Sequence, residues 1–175
     1  PATYVGHPLA DTFPLAPNRY EARERLHLPQ RAPVFALLPG SRESEVANLA
    51  PLFIDTAKYL LARYPDARFL VPLATRETRT LFEHAQYAAE ARDLPLSLLF
   101  GHAVDAMTAA DVVLVASGTA SLEAALLKRP MVIAYRMGDF QYRMMKRMAY
   151  LPWVGLPNIL CNEGVVPELL QDNAT

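Results

Sequence analysis

Short, uninterrupted apolar runs alternate along this chain with longer stretches in which apolar residues recur every three or four positions. Residues 33–38 (PVFALL) form such a run, closed by Pro39-Gly40, and read as a buried strand. After them Val46, Leu49, Phe53, Ala57, Leu60, Leu61 and Tyr64 mark one apolar face of a helix. Pro51 lies within that stripe. A proline in a helix interior costs about 3 kcal/mol, so the expectation is a short first helix that breaks or kinks near Ala50. Further strands are predicted at 69–73, 96–100, 112–116 and 131–134. Helices are predicted at 75–92, 104–110, 119–127 and 141–149. Tyr4-Val5-Gly6 reads as a strand running into a turn, and residues 166–171 read as helical.

Strands alternating with helices predict an α/β domain built on a mainly parallel sheet covered on both faces. The right-handed crossover rule makes it a Rossmann-like, doubly wound architecture. The chain, 175 residues with 52% hydrophobic and 20% charged positions, suits a single domain over 1–175 with an ample core. Fifteen prolines against seven glycines make many connections stiff.

A net charge of −1 argues against a nucleic-acid partner, which would call for a basic excess. The longest uncharged stretch, residues 148–162, contains Pro152, Pro157 and Asn158, which excludes a conventional membrane span. Cys161 is the single cysteine, so neither an internal disulfide nor a multi-cysteine zinc site is available, and a reducing cytoplasmic setting is expected. The chain opens at Pro1 with no initiator methionine or leader, and the expectation is a piece of a longer protein.

Ligands of open parallel sheets bind beyond the carboxyl ends of the strands. Two loops there have unusual content. In the first, Gly40 permits close backbone approach, Ser41 offers a hydroxyl, and Arg42 carries a planar donor fork suited to phosphate. In the second, the small residues Ser117, Gly118, Thr119 and Ser121 expose backbone N–H groups at a helix start, where the dipole favours an anion. Glu123, one turn into that helix, suits two sugar hydroxyls. The same residues also fit an ordinary N-cap followed by a first-turn acid. Neither loop matches a P-loop or the dinucleotide GxGxxG pattern, which removes kinase and nicotinamide readings.

Arg136 adds a second arginine at the same sheet edge, while Asn158 and Gln171 are neutral donor–acceptors that fit sugar hydroxyls or, equally, a turn and a surface helix. Of four histidines, His7 follows a strand end beside Gly6 and is placed at the ligand cleft. His27 and His84 read as surface residues on helices, and His102 as structural. There is no metal-like spacing and no nucleophile elbow. Residues 135–153 combine Arg136, Arg143, Lys146 and Arg147 with Phe140, Met144, Met145, Met148 and Tyr150. That composition suits contact with an anionic membrane surface or packing against another domain.

Taken together, LLPGSRESEV, ASGTASLEAALLKRPMVIAYR, LPNIL and the opening YVGHPLAD resemble the lipid-A-disaccharide synthase family, in the family's order from Tyr4 to about Gln171. The resemblance implies the C-terminal, nucleotide-sugar-binding half of a two-domain GT-B glycosyltransferase, peripheral to the cytoplasmic side of the inner membrane. The reaction it implies is inverting transfer of 2,3-diacylglucosamine from its UDP donor to 2,3-diacylglucosamine 1-phosphate, releasing UDP, with no metal or other cofactor. By motif, Gly6, His7, Gly40, Ser41, Arg42, Ser117, Gly118, Thr119, Ser121, Glu123, Arg136, Asn158 and Gln171 would line the UDP-sugar site. Arg42 and Asn158 would serve the leaving group. The general base and the lipid acceptor site would belong to an N-terminal domain, so this piece is expected to bind UDP weakly and turn nothing over. Other UDP-N-acetylglucosamine users (a UDP-sugar 2-epimerase or the peptidoglycan N-acetylglucosaminyl transferase) and a non-catalytic nucleotide- or membrane-binding module are the alternatives.

Overall fold

The computed structural model describes residues 8–138, 142 and 152–174. Two short helices, α1 (Leu9–Thr12) and α2 (Arg19–Arg25), precede the sheet. Its strands are β1 (Val34–Leu38), β2 (Arg68–Leu73), β3 (Leu96–Phe100), β4 (Val112–Val115), β5 (Met131–Tyr135) and β6 (Glu168–Leu170). Between them run α3 (Glu43–Arg63), α4 (Arg76–Ala88), α5 (Ala103–Ala109), α6 (Thr119–Leu126) and α7 (Leu156–Cys161), and a 3-10 turn, Gln171–Asn173, follows β6. The strand order is β3-β2-β1-β4-β5-β6 with every pair parallel. This is the doubly wound order, with the chain reversing direction across the sheet between β1 and β4.

Alternation along the strands splits the core in two. Val34, Ala36, Leu38, Val113, Val115, Met131 and Ile133 pack with α2, α5 and α6. Leu37, Phe69, Val71, Leu73 and Ala134 face the other way, toward α3 and α4. Both faces of the strands are therefore apolar, which is why they read as continuous runs rather than alternating ones.

The expected break at Pro51 does not occur: α3 runs unbroken through it. Pro51 and Ala47, whose carbonyl loses its helical partner, both lie on the exposed side. A carbonyl on that side can bond to solvent, while Val46, Leu49, Ala50, Phe53, Ile54 and Ala57 bury the opposite stripe and offset the lost bond. Residues 166–171 are not helical either; they supply strand β6 and the turn after it. Glu168 explains the strand. Its carboxylate accepts from the Val154 and Gly155 backbone N–H groups at 2.9 and 3.0 Å and from the Asn158 amide at 2.7 Å, tying β6 to the start of α7. The predicted helix at 141–149 and the strand at Tyr4-Val5-Gly6 lie outside the described residues. No helix among the described residues is long and apolar enough to cross a membrane.

At the amino ends of β1 and β4 an ion pair between the buried Arg23 and the half-buried Asp111 closes the sheet. Arg23 is 1% exposed and donates to Asp111 at 2.8 Å and to the carbonyls of Ala109, Gln30 and Ala32 at 2.9, 2.7 and 3.1 Å. Asp111 also accepts from Arg19 at 2.5 Å and from the Val34 N–H at 2.9 Å. Removing Arg23 leaves the carbonyls of Ala109, Gln30 and Ala32 without their donor and Asp111 without its buried partner. Arg23→Ala is expected to lower unfolding free energy by about 3–5 kcal/mol, read as a fall in the urea midpoint.

Candidate functional site

The carboxyl ends of β1 and β4 point to the same side, and the loops leaving them diverge: α3 goes to one face of the sheet and α6 to the other. The gap is a cleft of about 460 Å³ at the reversal point, a size typical of small-molecule sites. Its walls are the β1–α3 loop (Gly40, Ser41, Arg42), the β4–α6 loop (Ser117, Gly118, Thr119), the ends of β2 and β3, and Tyr135 at the end of β5. The two loops singled out in the sequence therefore face one another across one cavity.

Each loop is shaped by a glycine in a conformation closed to other residues. Gly40 has φ +114°, and a Cβ there would run into the Glu45 carboxylate. Gly118 has φ +136° and ψ −161°, a region essentially reserved for glycine. It turns the chain so that α6 begins at Thr119 with its first N–H groups, at Thr119 and Ala120, free of intrahelical partners on the cleft wall. The Ser121 hydroxyl donates to the Gly118 carbonyl at 2.7 Å and Ser117 donates to the Val154 carbonyl at 2.8 Å, so both hydroxyls hold the loop. Thr119 remains exposed at the cleft.

Glu45 is a cleft residue that sequence reasoning missed. Its carboxylate accepts from the Ser41 and Arg42 N–H groups at 3.2 and 3.3 Å and lies 3.7 Å from the Arg42 guanidinium. The signal was present: an acid three residues after the helix-capping position folds back on the cap. Arg42 itself is 79% exposed in its side chain and lines the cleft.

Other predicted residues are placed elsewhere. Asn158 is 1% exposed, donates to the Val166 carbonyl at 2.9 Å as well as to Glu168, and accepts from the Val166 N–H at 2.9 Å. Its amide is spent inside the protein and does not line the cleft. Gln171 is likewise buried, closing a two-bond bracket with the backbone N–H and carbonyl of Met137 at 2.8 and 2.9 Å. Both amides, expected at the donor site by motif, are thus held inside the protein in this structure and are not among the residues that line the cleft. Arg136 is exposed at the end of β5, beside the cleft residue Tyr135. Ser121 is buried on α6, and Glu123, half-buried on the next turn, lies next to the lining residues Thr119 and Ala120 without itself lining the cleft. Gly6 and His7 lie outside the described residues, as does most of 135–153. His84 is on α4 as expected, whereas His27 stands past the end of α2 in a left-handed conformation. His102 precedes α5, exposed, with its ring 3.3 Å from Asp105.

A sequence model of the family described as Lipid-A-disaccharide synthetase matches residues 1–175. The protein named lipid-A-disaccharide synthase of Aromatoleum aromaticum is 73% identical over 175 residues, and that of Azoarcus sp. is 71% identical. Each alignment takes in all of this chain, which spans 45% of the length of these relatives. Among solved structures, a glycosyltransferase from Rickettsia africae superimposes with a TM-score of 0.56 at 11% identity, covering 89% of this chain and 38% of that one. WaaG, a glycosyltransferase involved in lipopolysaccharide biosynthesis, gives a TM-score of 0.54 at 15% identity over 88% of this chain and 38% of that one. At such identities the likeness establishes the shared fold.

Burial raises the Glu123 carboxyl above its usual range. The folded protein thus holds this proton more tightly than the unfolded chain does. The resulting stabilisation is complete below the unfolded pKa and is lost as pH rises through the folded one. Glu123→Gln is accordingly expected to raise the melting temperature near neutral pH and to leave it unchanged near pH 3, about a unit below the usual carboxyl range, in a thermal denaturation series.

Proposed function

Because the chain belongs to the lipid-A-disaccharide synthetase family, we propose that it is the UDP-sugar-binding half of an inverting glycosyltransferase. In the proposed reaction a 2,3-diacylglucosamine unit passes from UDP to the hydroxyl of 2,3-diacylglucosamine 1-phosphate. The acceptor oxygen bonds to the anomeric carbon, the bond from that carbon to the diphosphate oxygen breaks, and its electron pair leaves with UDP. The acceptor's proton goes to a base on the domain expected to precede this one.

What this half must do is bind the nucleotide and stabilise negative charge as it accumulates on the departing diphosphate. The observation that carries the reading is the convergence of Arg42 and the amino end of α6 on one cleft at the sheet's reversal point. An exposed guanidinium and a pair of backbone donors suit an anion whose charge increases during the reaction. This mode of stabilisation needs no metal ion or other cofactor. Glu123, half-buried on the next turn of α6, is proposed to accept the ribose hydroxyls; two such donors would offset the cost of desolvating its carboxylate. Arg136 is proposed for the outer rim. Contact of the basic, methionine-rich residues 135–153 with the cytoplasmic face of the inner membrane is a further part of the reading and rests on composition.

Calorimetric titration tests this directly. Arg42→Ala in the full-length enzyme is expected to weaken UDP by about 1.5–3 kcal/mol, the usual worth of a charge-assisted hydrogen bond, while leaving uridine affinity unchanged. Equal UDP affinities for the two proteins would remove Arg42 from the diphosphate site. Absence of UDP binding by the unmodified enzyme would remove the reading altogether.

A further inference from the structure

The amino end of the sheet carries more positive charge than its own bonding consumes. A recess of about 680 Å³ opens there, a strand's length from the cleft, with Arg19, Tyr20, Arg23, Arg31 and Asp111 in its walls. Asp111 is the acid among these lining residues, and its two oxygens already accept from Arg19, Arg23 and the Val34 N–H. Arg23 is fully engaged as well: its three nitrogens donate to Asp111 and to the carbonyls of Pro29, Gln30, Ala32 and Ala109. Arg31 is exposed and has no hydrogen-bond or ion-pair partner among the described residues. Arg129 lies just behind the recess, donating to the carbonyls of Leu127 and Ala110 at 3.2 and 3.4 Å and to no carboxylate among the described residues. Burial and the charge of Arg19 hold its guanidinium below the ordinary pKa, against the opposite pull of Asp111. Four guanidinium groups thus gather around one carboxylate.

We propose that this recess binds a phosphate group, carried by a soluble ester or by a lipid headgroup. The charge balance selects phosphate over a second carboxylate. One carboxylate is already in place, accepts from two arginines and leaves the excess standing. A phosphate brings up to two charges and several acceptor oxygens, enough to bond Arg19 and Arg31 together. No existing bond has to break for it to enter. Arg19 engages Asp111 through Nη1, while its Nε and Nη2 have no partner among the described residues, and neither does Arg31. Tyr20 is 61% exposed at the rim, with the Arg19 guanidinium 5.7 Å from its ring centre, and offers an aromatic face to the body of such a ligand. The recess lies at the amino ends of β1 and β4 and the cleft at their carboxyl ends, so the two are separate sites.

The test titrates inorganic phosphate at low salt into the full-length protein carrying Arg42→Ala, which removes the cleft's own guanidinium, and reads binding from the phosphorus NMR line width. Phosphate is expected to bind, and adding Arg31→Ala is expected to weaken it about tenfold, the loss of one charge-assisted hydrogen bond. Arg129→Gln in place of Arg31→Ala is expected to weaken it by a smaller factor. Phosphate that does not bind, or that binds equally with and without Arg31, overturns the proposal. Arg31 is exposed and unbonded, so its loss leaves the fold intact. Sedimentation with phosphatidylglycerol vesicles then separates the two sources. Less vesicle-bound protein on Arg31→Ala assigns the lipid headgroup, and an unchanged amount assigns a soluble phosphate ester.

Discussion

The seam between β1 and β4 is the constraint on which this molecule depends. These strands are neighbours in the sheet although two further strands intervene between them in the chain. Their pairing is locked at one end by Asp111, which bonds Val34 twice: its backbone N–H donates to the Val34 carbonyl at 2.8 Å and its carboxylate accepts from the Val34 N–H. Arg23 then covers that carboxylate and draws α2 and residues 29–32 over the same end. With the amino end closed, the divergence of α3 and α6 must be accommodated at the carboxyl end, and the cleft is the result. Closure below and opening above are two consequences of one topology.

The cleft is furnished mostly by backbone. Two glycines set the turns, the start of α6 supplies donors, and serine hydroxyls hold the loop in place. Glu45 completes the β1–α3 side by occupying the Ser41 and Arg42 N–H groups, which leaves the Arg42 guanidinium as the adjustable cation. A cleft made this way is preorganised by the sheet rather than by long side chains, so a ligand bound there would cost little ordering entropy.

Much of this was legible in the sequence, for a definable reason. A parallel strand covered on both faces leaves a continuous apolar run, and the run at residues 33–38 contains β1, four of whose five residues are buried. Legibility failed where a residue's surroundings outweigh its type. Helix α2 buries an arginine rather than a leucine at its core position, so its periodicity is hidden. Strand β6 is three residues long and has an acid at its head, a pattern shared with helices. Asn158 and Gln171 have chemistry that fits a sugar, yet both are buried and bonded within the protein. Pro51 warned of a break that its exposed position makes affordable. The two cleft loops, by contrast, were readable because the need for glycine is local.

The brevity of β6 has a consequence for how this domain behaves at high concentration. A boundary strand with a long row of unsatisfied peptide groups is a template for pairing with another molecule. Here that boundary offers three residues before the chain turns away into a 3-10 coil, and the carboxylate at its head is already consumed by α7. Too little ribbon remains for a foreign strand to zip onto, so runaway sheet extension is blocked at this margin by geometry alone.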